Sequence, residues 1–233
     1  MIEARIEPLG DAALLISLGE RIDPGLNARA IALADAVRAA QLPGVYDVAP
    51  AYASVCVRYE PQAWSDAAGL PHAALGARLA AFVHNVATQP DADGGAAVEI
   101  PVCYGGDCGP DLEFVAAHAQ LSRDAVIERH AAARYRVAMR GFAPGFPYLL
   151  GLDPALQLPR RGNPRTRVPA GSVAIGGAQT GIYPRELPGG WHIIGRTPLR
   201  LFEASRDPPA LLAPGRQVRF RAIDAGEFAA LAR

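Results

Sequence analysis

From Arg140 to Pro198 no more than four consecutive residues pass without a glycine or a proline. A helix cannot be sustained through such a segment, because proline removes a helical hydrogen bond and glycine costs backbone entropy. Short strands joined by tight turns are what can fold there. Strand-like pieces fall at 135–142, 172–175, 181–183, 191–194, 199–203 and 217–222. Many short strands with such turns specify a barrel or a sandwich; we expect a barrel, mostly antiparallel.

Upstream the period changes. Residues 2–8 and 12–18 read as two strands joined near Gly10-Asp11. Leu26, Ala30, Leu33, Ala34 and Val37 then recur at helical spacing between Asp23-Pro24 and Gln41. Asp23 suits a cap, Pro24 the first turn, and Pro43-Gly44 the end of that helix. Strands at 45–49 and 53–60 and a helix around 71–88 complete an α+β sandwich with helices over one face of a small sheet. Residues 89–97 are aperiodic and rich in turn formers, the composition of a linker. The expected organisation is thus an N-terminal α/β domain at 1–88, a linker at 89–97 and a barrel domain at 98–233. The barrel domain opens with a strand at 98–103, followed by a short helix opened by Pro110 and Asp111 and a second capped by Ser122.

All 23 basic residues are arginine. The absence of lysine excludes Schiff-base chemistry, a P-loop or kinase-strand lysine, and attachment of biotin. Phosphate or carboxylate must therefore meet arginine forks, backbone N–H groups or a metal. Net charge is zero, yet residues 1–133 hold 8 arginines against 17 acids and residues 134–233 hold 15 against 6. Such a split reads either as two modules, the second handling anions, or as an acidic and a basic half that dock on each other. Cys56, Cys103 and Cys108 form neither a disulfide framework nor a zinc-ligand pattern and read as structural. No run approaches the roughly 18 apolar residues of a membrane span, and the start lacks a signal-peptide pattern, so we expect a cytoplasmic protein.

Chemistry concentrates in 140–198. Among its Gly and Pro residues stand Arg140, Arg167, Gln179, Tyr183, Trp191 and Thr197, side chains of the kind that orient a small polar anion, and we take these six as candidate substrate-binding residues. His192 is a candidate general acid or base. Arg196, in Gly195-Arg196-Thr197-Pro198, is a candidate to grip a carboxylate or phosphoryl oxygen with two parallel hydrogen bonds, so these two form the catalytic pair. The barrel face carrying Arg140, Arg167, Gln179, Tyr183, His192 and Arg196 is expected to form one concave polar site. No metal ligands are assigned, and the Gly-x-Ser-x-Gly elbow of serine hydrolases is absent.

The motifs Gly109-Pro110-Asp111-Leu112, Arg140-Gly-Phe-Ala-Pro-Gly-Phe-Pro-Tyr-Leu149 and the block 168–198, with Pro188-Gly-Gly-Trp191, resemble the KipI/allophanate hydrolase subunit 1 family. Its bacterial members include PxpB, the B component of 5-oxoprolinase. The resemblance runs along nearly the whole chain and implies a small α/β domain followed by a cyclophilin-like β-barrel. It also implies ATP-dependent opening of 5-oxo-L-proline to L-glutamate by a complex in which this chain is inactive alone. The implied partners are a KipA-like subunit (PxpC) and a lactam-utilisation subunit (PxpA), and the implied cofactors are ATP and its accompanying Mg, held either by this chain or mainly by a partner. Alternatives within the resemblance are the carboxyltransferase half of a urea carboxylase/allophanate-type system and a KipI-like histidine kinase inhibitor. Where the family usually has serine before Pro-Gly-Gly-Trp, this chain has Leu187.

Overall fold

A computed structural model describes residues 4–65, 69–86 and 96–232. The chain divides into two compact units, residues 1–92 and 93–233. Of the expected linker, residues 89–95 lie outside the described residues.

The first unit contains β1 (Arg5–Pro8), β2 (Ala13–Ser17), α1 (Pro24–Ala39), β3 (Val45–Pro50), β4 (Ser54–Tyr59) and α2 (Pro71–Asn85). Its four strands form an antiparallel sheet in the order β1-β2-β4-β3. Alternation puts Leu14 and Ile16 of β2 and Val55, Val57 and Tyr59 of β4 on the buried face. The helices supply the complementary stripes, Ala30, Leu33, Ala34 and Val37 from α1 and Leu75, Leu79 and Val83 from α2. The Asp23 carboxylate accepts from the Leu26 amide at 2.9 Å, the cap expected of it.

The second unit contains β5 (Val98–Tyr104), α3 (Leu112–Ala119), α4 (Arg123–Ala132), β6 (Tyr135–Arg140), β7 (Pro147–Leu150), β8 (Arg165–Val168), β9 (Ser172–Gly176) and β10 (Gln179–Ile182). It ends with β11 (Leu187–Gly189), β12 (His192–Arg196), β13 (Gln217–Ile223) and α5 (Ala225–Leu231). Seven strands close a barrel in the order β10-β7-β6-β13-β5-β12-β9. Every pair is antiparallel except β5 with β13. Strands β8 and β11 form a separate two-stranded ribbon. The residues of β9 divide between two cores. Val173 and Ile175 join Ile100, Val137, Leu149 and Ile194 in the main core of the unit. Ala174 joins Phe146, Tyr183, Trp191 and Ile193 in a smaller cluster that also takes in Val168 of the ribbon.

The strand expected at 199–203 is not formed. Only an isolated bridge joins Phe202 to Ala210, because backbone groups there are satisfied locally: the Glu203 amide donates to Pro209 and the Arg206 amide to Glu203. Conversely β7, β8 and β11 were hidden by their prolines, and Pro188 is tolerated because its ribbon has two edges.

Polar groups are also buried deep in this unit, His130 and Thr180 among them. His130 of α4 is fully buried, with Nδ1 2.8 Å from the Tyr104 hydroxyl and Nε2 3.1 Å from Thr180 Oγ1. Thr180 gives its proton to the Ala174 carbonyl at 3.0 Å, so its oxygen accepts from the imidazole. That assigns the hydrogen to Nε2 and leaves Nδ1 to accept from Tyr104. The ring also stacks on Phe220 at 4.6 Å between centroids. Burial in this setting lowers the His130 pKa to about 3.

A depressed histidine pKa contributes stability that is complete above the unfolded value near 6.5 and is lost as pH falls toward the folded value. Unfolding free energy is therefore expected to drop by about 1.4 kcal/mol per pH unit below 6.5 from this group alone. Denaturant melts at pH 7, 6 and 5 check this, and His130→Gln should flatten the slope; an unchanged slope in that variant removes His130 as its source.

Candidate functional site

Asp111, immediately before α3, is 5% exposed and receives four hydrogen bonds. Arg165 of β8 donates to it twice, at 2.7 Å to Oδ2 and 2.8 Å to Oδ1. Arg161 adds a bond of 3.0 Å to Oδ1, and the Ile193 amide of β12 one of 2.7 Å to Oδ2. The Asp111 amide in turn donates to the Ile193 carbonyl at 2.9 Å. Burial by itself raises the carboxyl pKa, but the Arg165 bonds, the Ile193 amide and the two guanidinium charges outweigh it, and the net shift is downward. The charge is therefore fully compensated, as a buried carboxylate requires. Gly109 makes the approach possible, since a Cβ there would collide with the Ile194 carbonyl.

This knot pins residues 161–165 beside β12, and the Arg161 amide to Gly190 carbonyl bond of 2.8 Å continues the attachment. Between the pinned segment and the barrel lies a cavity of about 200 Å³ lined by Phe142, Phe146, Tyr148, Arg160, Tyr183 and Trp191, with Arg161, Pro164, Gly189 and Gly190. Its walls are aromatic and mutually perpendicular: Phe146 meets Tyr183 edge-on at 5.2 Å and Trp191 at 5.8 Å. Gly176 lies flat against the Trp191 indole and Gly189 against the Tyr183 hydroxyl, where any Cβ would intrude. The Arg160 guanidinium stands 5.8 Å over the Trp191 ring. Burial raises the pKa of Tyr183, against the smaller opposing pull of the Trp191 backbone, and that of Tyr148, so both phenols keep their protons. Phe142, at the rim, holds φ at +68° and is 59% exposed. The arrangement offers flat apolar faces, phenolic donors and a cation, which suits a small planar anion.

Of the sequence candidates, Tyr183 and Trp191 meet in this cavity; the others have separate duties. His192 is buried, stacked on Phe114 at 4.9 Å, and its Nε2 donates to the Pro159 carbonyl at 3.0 Å. Burial lowers its pKa against the opposing pull of that bond, and Nδ1 has no partner among the described residues. The Arg196 Nε donates to the Ala170 carbonyl at 2.8 Å and its guanidinium lies 5.9 Å from the Phe228 ring centroid, which holds the turn before β9 against α5. Arg167 pairs with Glu186 on the surface at 2.8 Å. Arg140 is exposed at the end of β6, opposite Pro147. Gln179 is buried at the start of β10, and Thr197 is a buried turn residue whose Oγ1 accepts from the Leu199 amide at 3.3 Å. The six polar residues expected on one concave face thus do not converge.

The residues that sequence reasoning passed over are Asp111, Arg160, Arg161 and Arg165, together with the rim and wall aromatics Phe142, Phe146 and Tyr148. The charge step near residue 133 also has a local cause. Glu99 and Asp111, from the acid-rich stretch, form ion pairs with Arg219, Arg221, Arg161 and Arg165 inside the one barrel unit.

The sequence matches the family described as carboxyltransferase domain, subdomain C and D, over residues 4–212. It is 40% identical over 235 aligned positions to the B component of 5-oxoprolinase from Bacillus subtilis, covering 97% of this chain and 96% of that protein. The crystal structure of TTHA0988 superposes with a TM-score of 0.77 at 38% identity, over 91% of this chain and 40% of that one. The urea carboxylase of Kluyveromyces lactis shares the fold at 22% identity, with a TM-score of 0.76 over 97% of this chain and 22% of its own. The chain thus spans nearly all of the first relative and less than half of the other two.

Asp111→Asn should cost about 3 kcal/mol of stability or more, since it strands two partly buried arginines; a denaturant melt within 1 kcal/mol of wild type would rule the knot out as a structural element. Arg196→Lys, which loses the Nε donor, should lower the melting temperature by about 2–4 °C, the equivalent of about 1 kcal/mol. Calorimetry that finds no shift disposes of the strut.

Proposed function

The chain belongs to the carboxyltransferase subdomain C and D family, and from that premise we propose that it is the B component of an ATP-dependent 5-oxoprolinase. The observation that carries this reading is the end-to-end alignment with the Bacillus subtilis protein of that name, 40% identical with no large segment of either chain left over. The reaction opens 5-oxo-L-proline to L-glutamate. A lactam amide is unreactive toward water, so its oxygen must first be activated by phosphoryl transfer. Water then attacks the ring carbon, the ring C–N bond breaks with a proton delivered to nitrogen to leave an acyl phosphate, and a second water releases the phosphate and the new carboxylate. Each step develops negative charge on oxygen, which fixed donors and cations stabilise best in a site closed to water.

This chain's share is holding and orienting. With no lysine in the sequence and the candidate histidine His192 buried and neutral, the ionisable groups that line the cavity are arginine and tyrosine. A cavity of about 200 Å³ is below the roughly 300–1,000 Å³ of sites for drug-sized ligands and does not fit a nucleoside triphosphate. That cavity is therefore not an ATP site, and in the proposed division of labour ATP and its magnesium sit with a partner, a KipA-like subunit or a lactam-utilisation subunit, in a cytoplasmic complex. No helix among the described residues is long and apolar enough to cross a membrane.

Co-expression with the genes adjacent to its own, followed by an assay of ATP-dependent glutamate release from 5-oxo-L-proline, tests this. The assembled complex should turn over and the purified chain alone should not. A complex that assembles but consumes no 5-oxoproline overturns the reading, and full turnover by the isolated chain overturns the division of labour.

A further inference from the structure

We infer that the aromatic cavity between segment 160–164 and the barrel is the seat of the lactam itself, with the substrate carboxylate on Arg160, the ring face on Trp191 and Phe146, and the ring carbonyl oxygen accepting from Tyr183. The assignment rests on the function proposed above and names the site within this chain. Three observations lead to it. Of the clustered arginines at 160, 161 and 165, two are spent on Asp111, while Arg160 has no ion pair among the described residues. A guanidinium that lies over an indole uses its face for the ring and keeps its N–H edge for a fork, the geometry that grips a carboxylate with two parallel bonds.

The second observation is the position of the Tyr183 hydroxyl. The phenol lines the cavity with its oxygen against Gly189, where its hydrogen can be donated to a carbonyl oxygen. Phe146 and Phe142 wall the phenol edge-on at 5.2 and 6.3 Å. The third is size and shape. About 200 Å³ bounded by flat rings accommodates one five-membered ring with a carboxylate and excludes a peptide or a nucleotide. Gly189 keeps the wall beside the Tyr183 hydroxyl clear of a side chain, and Gly176 lets the Trp191 indole pack closely. Phe142 is held at positive φ with an exposed ring at the mouth, the kind of backbone strain that accumulates at ligand clamps.

Calorimetric titration of the full chain with 5-oxo-L-proline, and the KM of the assembled complex, test the site in parallel. Arg160→Gln should weaken binding and raise KM at least tenfold, as loss of a charge-assisted bidentate contact requires. Affinity for 2-pyrrolidone, which has the ring without the carboxylate, should be the same in both proteins. Tyr183→Phe, which leaves the ring and removes the donor, should weaken both ligands about threefold or more. Because Arg160 is exposed, its variant should melt with the wild type. If the complex opens 5-oxoproline while Arg160→Gln and Tyr183→Phe leave KM and affinity unchanged, this cavity is not the seat and the functional reading stands. If the complex shows no such activity, the functional reading falls and titration still decides the cavity: wild-type binding that is lost in Arg160→Gln keeps it as a lactam carboxylate site, and no wild-type binding removes it.

Discussion

A single carboxylate organises the side of the barrel that carries the aromatic cavity. Asp111 joins the start of α3, the amide of Ile193 in β12 and two guanidinium groups from the 161–165 segment. Each of these groups alone would be costly to bury, and together they leave none of the carboxylate oxygens without a donor. The knot fixes where residue 160 falls relative to Trp191, and so where a cation can stand over the cavity. A Lys in place of Arg165 could not reach both oxygens, since only the planar fork spans a carboxylate.

Much of the architecture was legible because it depends on local rules. The capped helix after Asp23, the Leu75–Leu79–Val83 stripe and the alternating strands of the first sheet follow directly from spacing. The density of Gly and Pro between 140 and 198 excluded helices, and the barrel followed. Strands β7, β8 and β11 were not legible, since each is short and contains or adjoins proline, and only their partners across the sheet make them strands. The site was legible in composition but not in assembly. Tyr183 and Trp191 meet, while Arg167 and Arg196 are spent on Glu186 and Ala170, distinctions that only long-range packing determines. Asp111 lay in a motif noted for resemblance, but nothing in its spacing announces that its partners lie 50, 54 and 82 residues away.

Two buried imidazoles, His130 and His192, show how differently one residue type is used. His130 has both ring nitrogens matched, by Tyr104 and Thr180, and acts as a polar bolt across the barrel core. His192 is matched at Nε2 alone and is held by stacking on Phe114. Both are kept neutral by burial, so neither adds to the positive character of the unit. That character comes from arginine, which burial does not discharge.

The pairing of β5 with β13 bears on how the protein is made. The barrel's first strand lies between β12 and β13, with Val98 beside Val218 and Cys103 beside Ile223. During synthesis the ring therefore cannot close until the strand at 217–223 has left the ribosome, while the preceding α/β unit has all of its own strands well before then. At about 5–20 residues per second the nascent chain exposes an open sheet edge for several seconds. Joining ends this distant also carries a loop-closure cost that grows with the logarithm of chain length. That open edge is a site where neighbouring nascent chains can pair, and its exposure is set by one parallel strand pair.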